Sequence, residues 1–212
     1  MTYARTIRAA YALRATEYTA ALGSLAATSP ADRDLIARWA GELSGPVLDA
    51  GCGPGQWTAY LRALGIRARG IDLVPEFISA ARDNHPGTDY AVGSFEDPAA
   101  LGNNLGGILA WYSLIHTDPA QISAVLAGFA RALAPGGGLL LGFFEGAWGQ
   151  PFDHRVHRAY TLAPERLGEL LREHGFTVLG EESRQDPGAR PHAAIRARLG
   201  AGEAPPPPPG LP

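Results

Sequence analysis

A chain of 212 residues with 46% hydrophobic and 18% charged side chains has apolar material enough for one well-packed α/β-sized core. Its formal net charge of −3 gives no field that would gather nucleic acid or an anionic membrane, and no apolar run approaches the roughly 18 residues of a membrane span. A single cysteine, Cys52, excludes an intramolecular disulfide framework and a cysteine-ligated zinc site. The first residues lack the apolar core of a secretion signal, so a cytoplasmic setting is expected.

Residues 3–27 are alanine-rich and read as mostly helical, with Tyr11, Arg14, Glu17 and Tyr18 at spacings that share a face. Ser29 and Pro30 have the form of a cap and first turn, opening a helix to about residue 43 whose stripe is Leu35, Ile36, Trp39 and Leu43. Gly45-Pro46 ends it. Val47-Leu48 then reads as a buried strand that stops in Asp49-Ala50-Gly51-Cys52-Gly53-Pro54-Gly55. Trp57, Tyr60, Leu61 and Leu64 recur at helical spacing behind it. Strand, glycine loop and helix open a nucleotide-binding unit: the glycines let backbone approach a ligand, and the helix start offers free N–H groups.

A second strand over 66–71 ends at Asp72, about 20 residues past the loop, where an acid can accept both hydroxyls of a ribose. Asp72 also suits a cap for the helix expected over 75–84, and the two roles are compatible. A third strand, 88–92, leads into Gly93-Ser94-Phe95-Glu96. The continuous apolar run 105–111 fits the middle of a parallel sheet. Residues 112–116 follow at its carboxyl end, the edge at which open α/β sheets bind ligands. Asp118-Pro119 starts a helix with Ile122, Val125, Leu126, Phe129 and Leu133 on one stripe. Pro135-Gly136-Gly137-Gly138 stops it before a fifth strand, 139–144. Residues 145–163 read as a loop rich in rings and polar groups. A helix over 164–174 and strands over 176–179 and 191–199 complete the pattern. From Gly200 the proline-rich tail reads as extended and disordered, so the expected plan is a single domain over 1–199 and a tail over 200–212.

The loop excludes two nucleotide classes. A dinucleotide fingerprint wants glycine at 51, 53 and 56, but position 56 is Gln and the third glycine stands at 55. A phosphate-cradling loop ending in Gly-Lys-Ser/Thr is not present. Asp49 at the loop's start suits a ligand that carries an ammonium better than one that carries phosphates. Asp49-x-Gly51-x-Gly53-x-Gly55 resembles motif I of the class I S-adenosylmethionine (SAM) methyltransferases. The resemblance runs on through Asp72, Ser94-Phe95, Trp111 to His116 and Pro135-Gly136-Gly137, covering about residues 10–198.

The resemblance implies a Rossmann-like, doubly wound, mostly parallel seven-stranded sheet with an antiparallel last strand and helices on both faces. It implies SAM as cofactor, S-adenosylhomocysteine as product, and a small-molecule acceptor of metabolite or natural-product type. Nucleic acid and membrane are not expected partners, and the state expected is a monomer or homodimer. On the cofactor it places Asp49 at the methionyl ammonium, directly or through water, and Ala50, Gly51, Cys52 and Gly53 along the methionyl chain, with Trp57, Trp111 and Tyr112 around them. Asp72 takes the ribose, Leu73 covers the adenine, and Ser94 and Phe95 meet its edge, where relatives usually carry an acid directly after the glycine. Tyr18 matches a tyrosine that relatives place over the cofactor, making residues 1–28 a helical lid.

His116 is the base candidate, since imidazole titrates near neutrality and the sheet edge faces the reacting methyl; a histidine packed behind the cofactor is the competing reading. The acceptor side is expected to draw on Tyr112, His116, Trp148, His154, Arg155 and Tyr160, with Arg155 or Arg158 free to pair a carboxylate or phosphate. His154-x-x-His157 beside Asp153 has a metal-like spacing, but the acids expected of metal-dependent relatives are not evident near the fourth strand, so no metal is expected. Two other functions share these residues: a non-methylating SAM-binding cyclase or regulator, and a nicotinamide oxidoreductase, which Gln56 disfavours.

Overall fold

The computed structural model describes residues 3–201; the expected proline-rich tail lies outside them beyond Ala201. The helical N-terminus is two helices, α1 (Tyr3–Ala12) and α2 (Ala15–Leu22), followed by a 3-10 turn, Leu25–Ala27. They break at Leu13, which stands 88% exposed. Then follow α3 (Pro30–Gly41), β1 (Val47–Ala50), α4 (Gln56–Ala63), β2 (Ala68–Asp72), α5 (Pro75–Asn84), β3 (Asp89–Val92), α6 (Pro98–Leu101) and β4 (Leu105–Trp111). A 3-10 turn, Leu114–His116, leads to α7 (Ile122–Ala132), β5 (Leu133–Phe144), a short hairpin of β6 (Pro151–Phe152) and β7 (Ala159–Tyr160), α8 (Pro164–Glu173), β8 (Phe176–Arg184) and β9 (His192–Leu199).

Seven strands form one sheet in the order β3-β2-β1-β4-β5-β9-β8, with β9 antiparallel to both of its neighbours and the other pairs parallel. The expected fold class is therefore what the chain adopts. Chain order reverses between β1 and β4. Such a reversal leaves a crevice beyond the strands' carboxyl ends, where no crossover covers the sheet edge.

Both faces of the sheet are covered, which explains why β4 and β5 read as apolar runs without alternation. Ile108, Ala110, Leu139, Leu141 and Phe143 point to the face covered by Leu126 and Phe129 of α7 and Leu167 and Leu171 of α8. Leu109 and Leu140 point the other way, into Leu35, Ile36 and Trp39 of α3 and Trp57 and Leu61 of α4. The Trp39 indole lies over two strand glycines: a Cβ on Gly107 or on Gly138 would come within 3.1 Å of it. Sheet glycines here make room for an aromatic ring.

Several boundaries differ from expectation for local reasons. Residues 118–121 form a turn before α7, because the Asp118 carboxylate accepts from Ala120 N at 2.9 Å and its carbonyl from Gln121 N at 2.7 Å. The Pro-Gly run does not precede β5 but is its irregular first stretch, and the pairing with β4 shifts register between Leu105 and Gly107. β8 runs to Arg184, paired with β9 as far as His192. Within the expected 145–163 loop, β6 and β7 pair.

Gly55 joins the sheet to α4 and α5. It holds φ +89°, and a Cβ there would lie 2.6 Å from the Tyr90 hydroxyl and 2.8 Å from Ala81 Cβ. Gly55→Ala is expected to cost about 2–4 kcal/mol in urea unfolding, combining left-handed backbone strain with overpacking. A loss under about 0.5 kcal/mol would show that Gly55 is not locked by its neighbours.

Candidate active site

The crevice floor is the loop between β1 and α4. The N–H groups of Gly51 and Cys52 both donate to the Ile71 carbonyl, at 2.8 and 2.9 Å. Asp72 ties the same loop down from β2: one carboxylate oxygen accepts from Gly53 N and the other from Val74 N, both at 2.9 Å. Each oxygen keeps a lone pair for another donor, and Asp72 opens on the cavity. Burial pushes its carboxyl up to about 6, against the opposing pull of the Val74, Gly53 and Leu73 N–H groups. A Cβ on Gly53 would meet nothing within 4 Å, so the loop presents bare backbone to open space. Gly51 is locked instead: a Cβ there would collide with the Ser113 side chain, so the ends of β1 and β4 close on each other.

Asp49 is not at the cavity surface. Its carboxylate is 1% exposed and accepts a hydrogen bond from the Thr58 hydroxyl at 2.7 Å. Burial pushes it up to about 7, helped by the neighbouring Asp72 charge. It is a strut beneath the loop, and Ala50 is buried beside it in β1. The hydrogen-bond partner of Asp49 is Thr58, a residue that sequence reading passed over.

Tyr18, Leu73, Ser94, Phe95, Trp111, Tyr112 and His116 line the crevice with Asp72, Gly51 and Gly53. Glu96 lines it too. It stands three residues after Gly93, within a turn in which Ser94 Oγ accepts from Glu96 N at 3.1 Å. Tyr11 and Tyr18 of the N-terminal helices meet edge to face at 5.7 Å, and both contact Phe77 of α5. Burial pushes the Tyr18 phenol up to about 12, with the Asp72 carboxylate adding to the shift.

His116 is 5% exposed and makes two hydrogen bonds. Nδ1 lies 2.8 Å from the Arg158 carbonyl oxygen, which only accepts, so Nδ1 carries the proton. Nε2 therefore holds a lone pair, and it accepts from the Tyr11 hydroxyl at 2.7 Å. Burial holds the imidazole down to about 4, the Arg158 carbonyl opposes that, and nearby His154 and His157 add to it. The ring is thus neutral at neutral pH with an occupied acceptor nitrogen. Burial also raises the Tyr11 phenol far above its usual range. Tyr11 stood at the right helical spacing in the sequence, but nothing there linked it to a histidine 105 residues away.

A second compartment adjoins the first across Gly51, Gly53, Tyr11, Tyr18, Trp111 and Tyr112. Cys52, Trp57, Phe144, His154, Asp32, Arg184, Asp186 and His192 also line it. Tyr112 sits between the two with φ +55°, a conformation rare for a bulky residue. Three expected acceptor-side residues stand elsewhere. Trp148 packs onto the core cluster beneath α7 and α8. Tyr160 is in β7, paired with Pro151. Arg155 is exposed and lines a small pocket with Arg14 and Glu17 that meets the second compartment at Tyr18 and His154. His154 and His157 lie edge-on to His116, with ring centroids 5.2 and 6.2 Å away. Among the described residues no His, Cys, Asp and Glu group is arranged to hold a metal ion, and no helix is long and apolar enough to cross a membrane.

Residues 47–137 match the methyltransferase-domain family. The chain is 30% identical over 160 residues to an uncharacterized methyltransferase of Synechocystis sp., covering 63% of this chain and 67% of that one. It is 28% identical over 159 residues to the magnesium-protoporphyrin O-methyltransferase of Rhodobacter capsulatus, covering 68% and 69%. Among solved structures it resembles the Burkholderia thailandensis 1,6-didemethyltoxoflavin-N1-methyltransferase, solved with 1,6-didemethyltoxoflavin and S-adenosylhomocysteine bound. That likeness has a TM-score of 0.75 at 23% identity, over 93% of this chain and 89% of that one, and speaks for the fold.

The buried Asp49 carboxyl gives a signed stability prediction. A folded-state pKa of about 7 against an ordinary 3.8 means the folded state takes up a proton before the unfolded state does as pH falls. That stabilising contribution is complete below the unfolded value and is lost as pH rises through about 7. Asp49→Asn does not titrate. Relative to it, the parent should gain on the order of 2 kcal/mol between pH 8 and pH 5 in chemical denaturation. Parallel pH profiles would show that the carboxyl is not held as the geometry indicates.

Proposed function

The chain belongs to the class I SAM-dependent methyltransferases, and on that premise we propose that it methylates a hydroxyl or N–H of a small molecule seated in the second compartment, with the proton leaving through Tyr11 to His116. The observation that carries the proton route is the hydrogen-bond chain Tyr11 Oη–His116 Nε2 and His116 Nδ1–Arg158 O. The cofactor supplies an electrophilic methyl on a sulfonium. The residues present fit it: Asp72 keeps acceptor capacity for ribose hydroxyls, Gly53 presents backbone to open space, and Ser94, Phe95 and Glu96 line the far end where an adenine would lie. Leu73 and Phe77 offer it apolar faces. Helices α1 and α2 act as a lid that brings Tyr11 and Tyr18 over the crevice and excludes water. Residues 1–199 work as one unit.

The acceptor gives its proton to the Tyr11 oxygen while the Tyr11 proton passes to His116 Nε2, whose other N–H stays on the Arg158 carbonyl. Bound SAM would supply the methyl to the acceptor's electron pair and would keep the pair of the broken bond on its sulfur, while Tyr11 and His116 take up the proton. A free tyrosinate is strongly disfavoured by burial, so the two proton transfers are coupled. The His116 pKa of about 4 keeps the nitrogen available as an acceptor down to mildly acidic pH. The positive charge that arrives on His116 would be offset by the sulfonium charge that the cofactor gives up.

Calorimetric titration with SAM and S-adenosylhomocysteine tests the cofactor assignment, and Asp72→Ala should weaken binding by about 1.5–3 kcal/mol while the chain still folds. Parent-like affinity in that variant would remove Asp72 from the site. Mass spectrometry of extracts incubated with labelled SAM identifies the acceptor. With it in hand, His116→Ala should lower kcat about 10²-fold with SAM affinity nearly unchanged. Tyr11→Phe should lower it comparably, and the double variant should be little worse than either. The parent's acid limb should fall near pH 4 rather than 6.5. Parent-like kcat in His116→Ala, or additive losses in the double variant, would overturn the relay.

A further inference from the structure

The second compartment is walled by rings. Trp57 and Trp111 have centroids 6.2 Å apart, Trp111 and Tyr112 5.6 Å, Tyr112 and Phe144 5.2 Å, and Tyr112 and His192 6.2 Å. Phe152 backs Phe144 at 5.3 Å. All of these pairs are edge-on or tilted, the geometry in which aromatic groups add further rings to a cluster.

Among the residues that line this compartment, the one guanidinium is already engaged by carboxylates. Arg184 is the guanidinium that lines it, and it is already held by Asp32 at 2.5 Å and faced by Asp186 at 3.5 Å. His192 Nε2 also faces Asp186, at 3.7 Å. Burial lowers the pKa of both His154 and His192, so neither adds positive charge near neutrality. Two carboxylates thus stand against one guanidinium. Close by, the Arg190 guanidinium lies on the Phe152 ring, 4.3 Å from its centroid. Arg155, the arginine that sequence reading offered to an anionic acceptor, is exposed and lies beyond His154, in a small pocket with Arg14 and Glu17 that meets this compartment at Tyr18 and His154.

We propose that the acceptor is an uncharged, flat, ring-bearing molecule held by Trp111, Tyr112 and Phe144, with its transferable hydrogen toward Tyr11. This rests on the methyltransferase reading for what happens to the molecule, but not for what the compartment binds. A carboxylate or phosphate would lose its water to a wall whose lining arginine is already paired by two carboxylates. A saturated body of the same size would fill the space without offering π-faces to the surrounding ring edges.

Three probes of similar size separate these terms: 2-naphthol, its anionic counterpart 2-naphthoate, and its saturated counterpart 2-decalol. Each is titrated calorimetrically at pH 7 into the full chain loaded with S-adenosylhomocysteine. The expected result is a Kd for 2-naphthol at least 10-fold below that of either other probe. Phe144→Leu, which keeps an apolar side chain but removes the ring, should weaken 2-naphthol at least five-fold and change S-adenosylhomocysteine affinity by less than two-fold. Asp186→Asn, at a half-exposed position, should narrow the gap between 2-naphthol and 2-naphthoate several-fold. Naphthoate binding as tight as naphthol overturns the uncharged assignment. Decalol binding as tight overturns the flat-ring assignment, and no binding of naphthol overturns both. Absence of S-adenosylhomocysteine binding would instead sink the methyltransferase reading. The probes are then titrated into the free chain, where the same order of affinities is expected.

Discussion

One carboxylate holds the crevice in shape. Asp72 accepts from Gly53 N in the glycine loop and from Val74 N at the start of α5, so β1, β2 and two helix starts meet at a single side chain. A charge-accepting bond to backbone N–H is among the stronger hydrogen bonds available to a fold. Here it fixes Gly53, where a Cβ would meet nothing within 4 Å. Beneath it Asp49 and Thr58 support the loop from inside the sheet. Asp72 adds to the cost of ionising Asp49, whose carboxyl burial already pushes up. A cofactor with cationic groups would relieve that cost, which links stability of the empty crevice to its function.

The reacting centre depends on a second, sparser network. His116 is fixed from both sides, by a backbone carbonyl of the 145–163 segment and by a phenol of the first helix. Three separate stretches of chain must be in place for that geometry to exist: the turn after β4, the segment before β7, and α1. On the proposed reading, a first helix that carries the hydrogen-bonding partner of His116 makes closure and chemistry the same event. The strained Tyr112 backbone lies at the boundary of the two compartments, held by its N–H to the Gly142 carbonyl at 2.8 Å. Backbone strain at such a junction persists where surrounding packing leaves no alternative.

The sheet edges also show how the chain avoids misuse of the crevice side. β8 is an edge strand and carries exposed Glu181, Glu182 and Ser183, which discourage another strand from pairing there. The same strand's last residue, Arg184, turns to Asp32 of α3 and closes the far wall of the second compartment. A strand that reads as ending at 179 thus contributes a site residue, because its pairing with β9 carries it further.

The sequence by itself determined the strand–loop–helix order, the sheet class and the identity of the crevice floor. Those features are local: Asp49-x-Gly51-x-Gly53-x-Gly55 needs its glycines because backbone must come close to neighbours and ligand. Asp72 is placed by its distance along the chain from that loop. Periodicity likewise marked the stripes of α3, α7 and α8, because each helix buries one face on the sheet. What only the tertiary structure decided are pairings between residues far apart in sequence. Tyr11 with His116, Arg184 with Asp32, and Phe144 with Tyr112 leave no local trace, since no spacing rule connects segments separated by whole elements. The ring-rich 145–163 stretch was legible as aromatic, yet Trp148 and Tyr160 fell away from the crevice and His154 fell onto it. Composition records which side chains a loop carries; the path of its backbone, set by β6 pairing with β7 and by packing against the core, chooses which of them face the cavity.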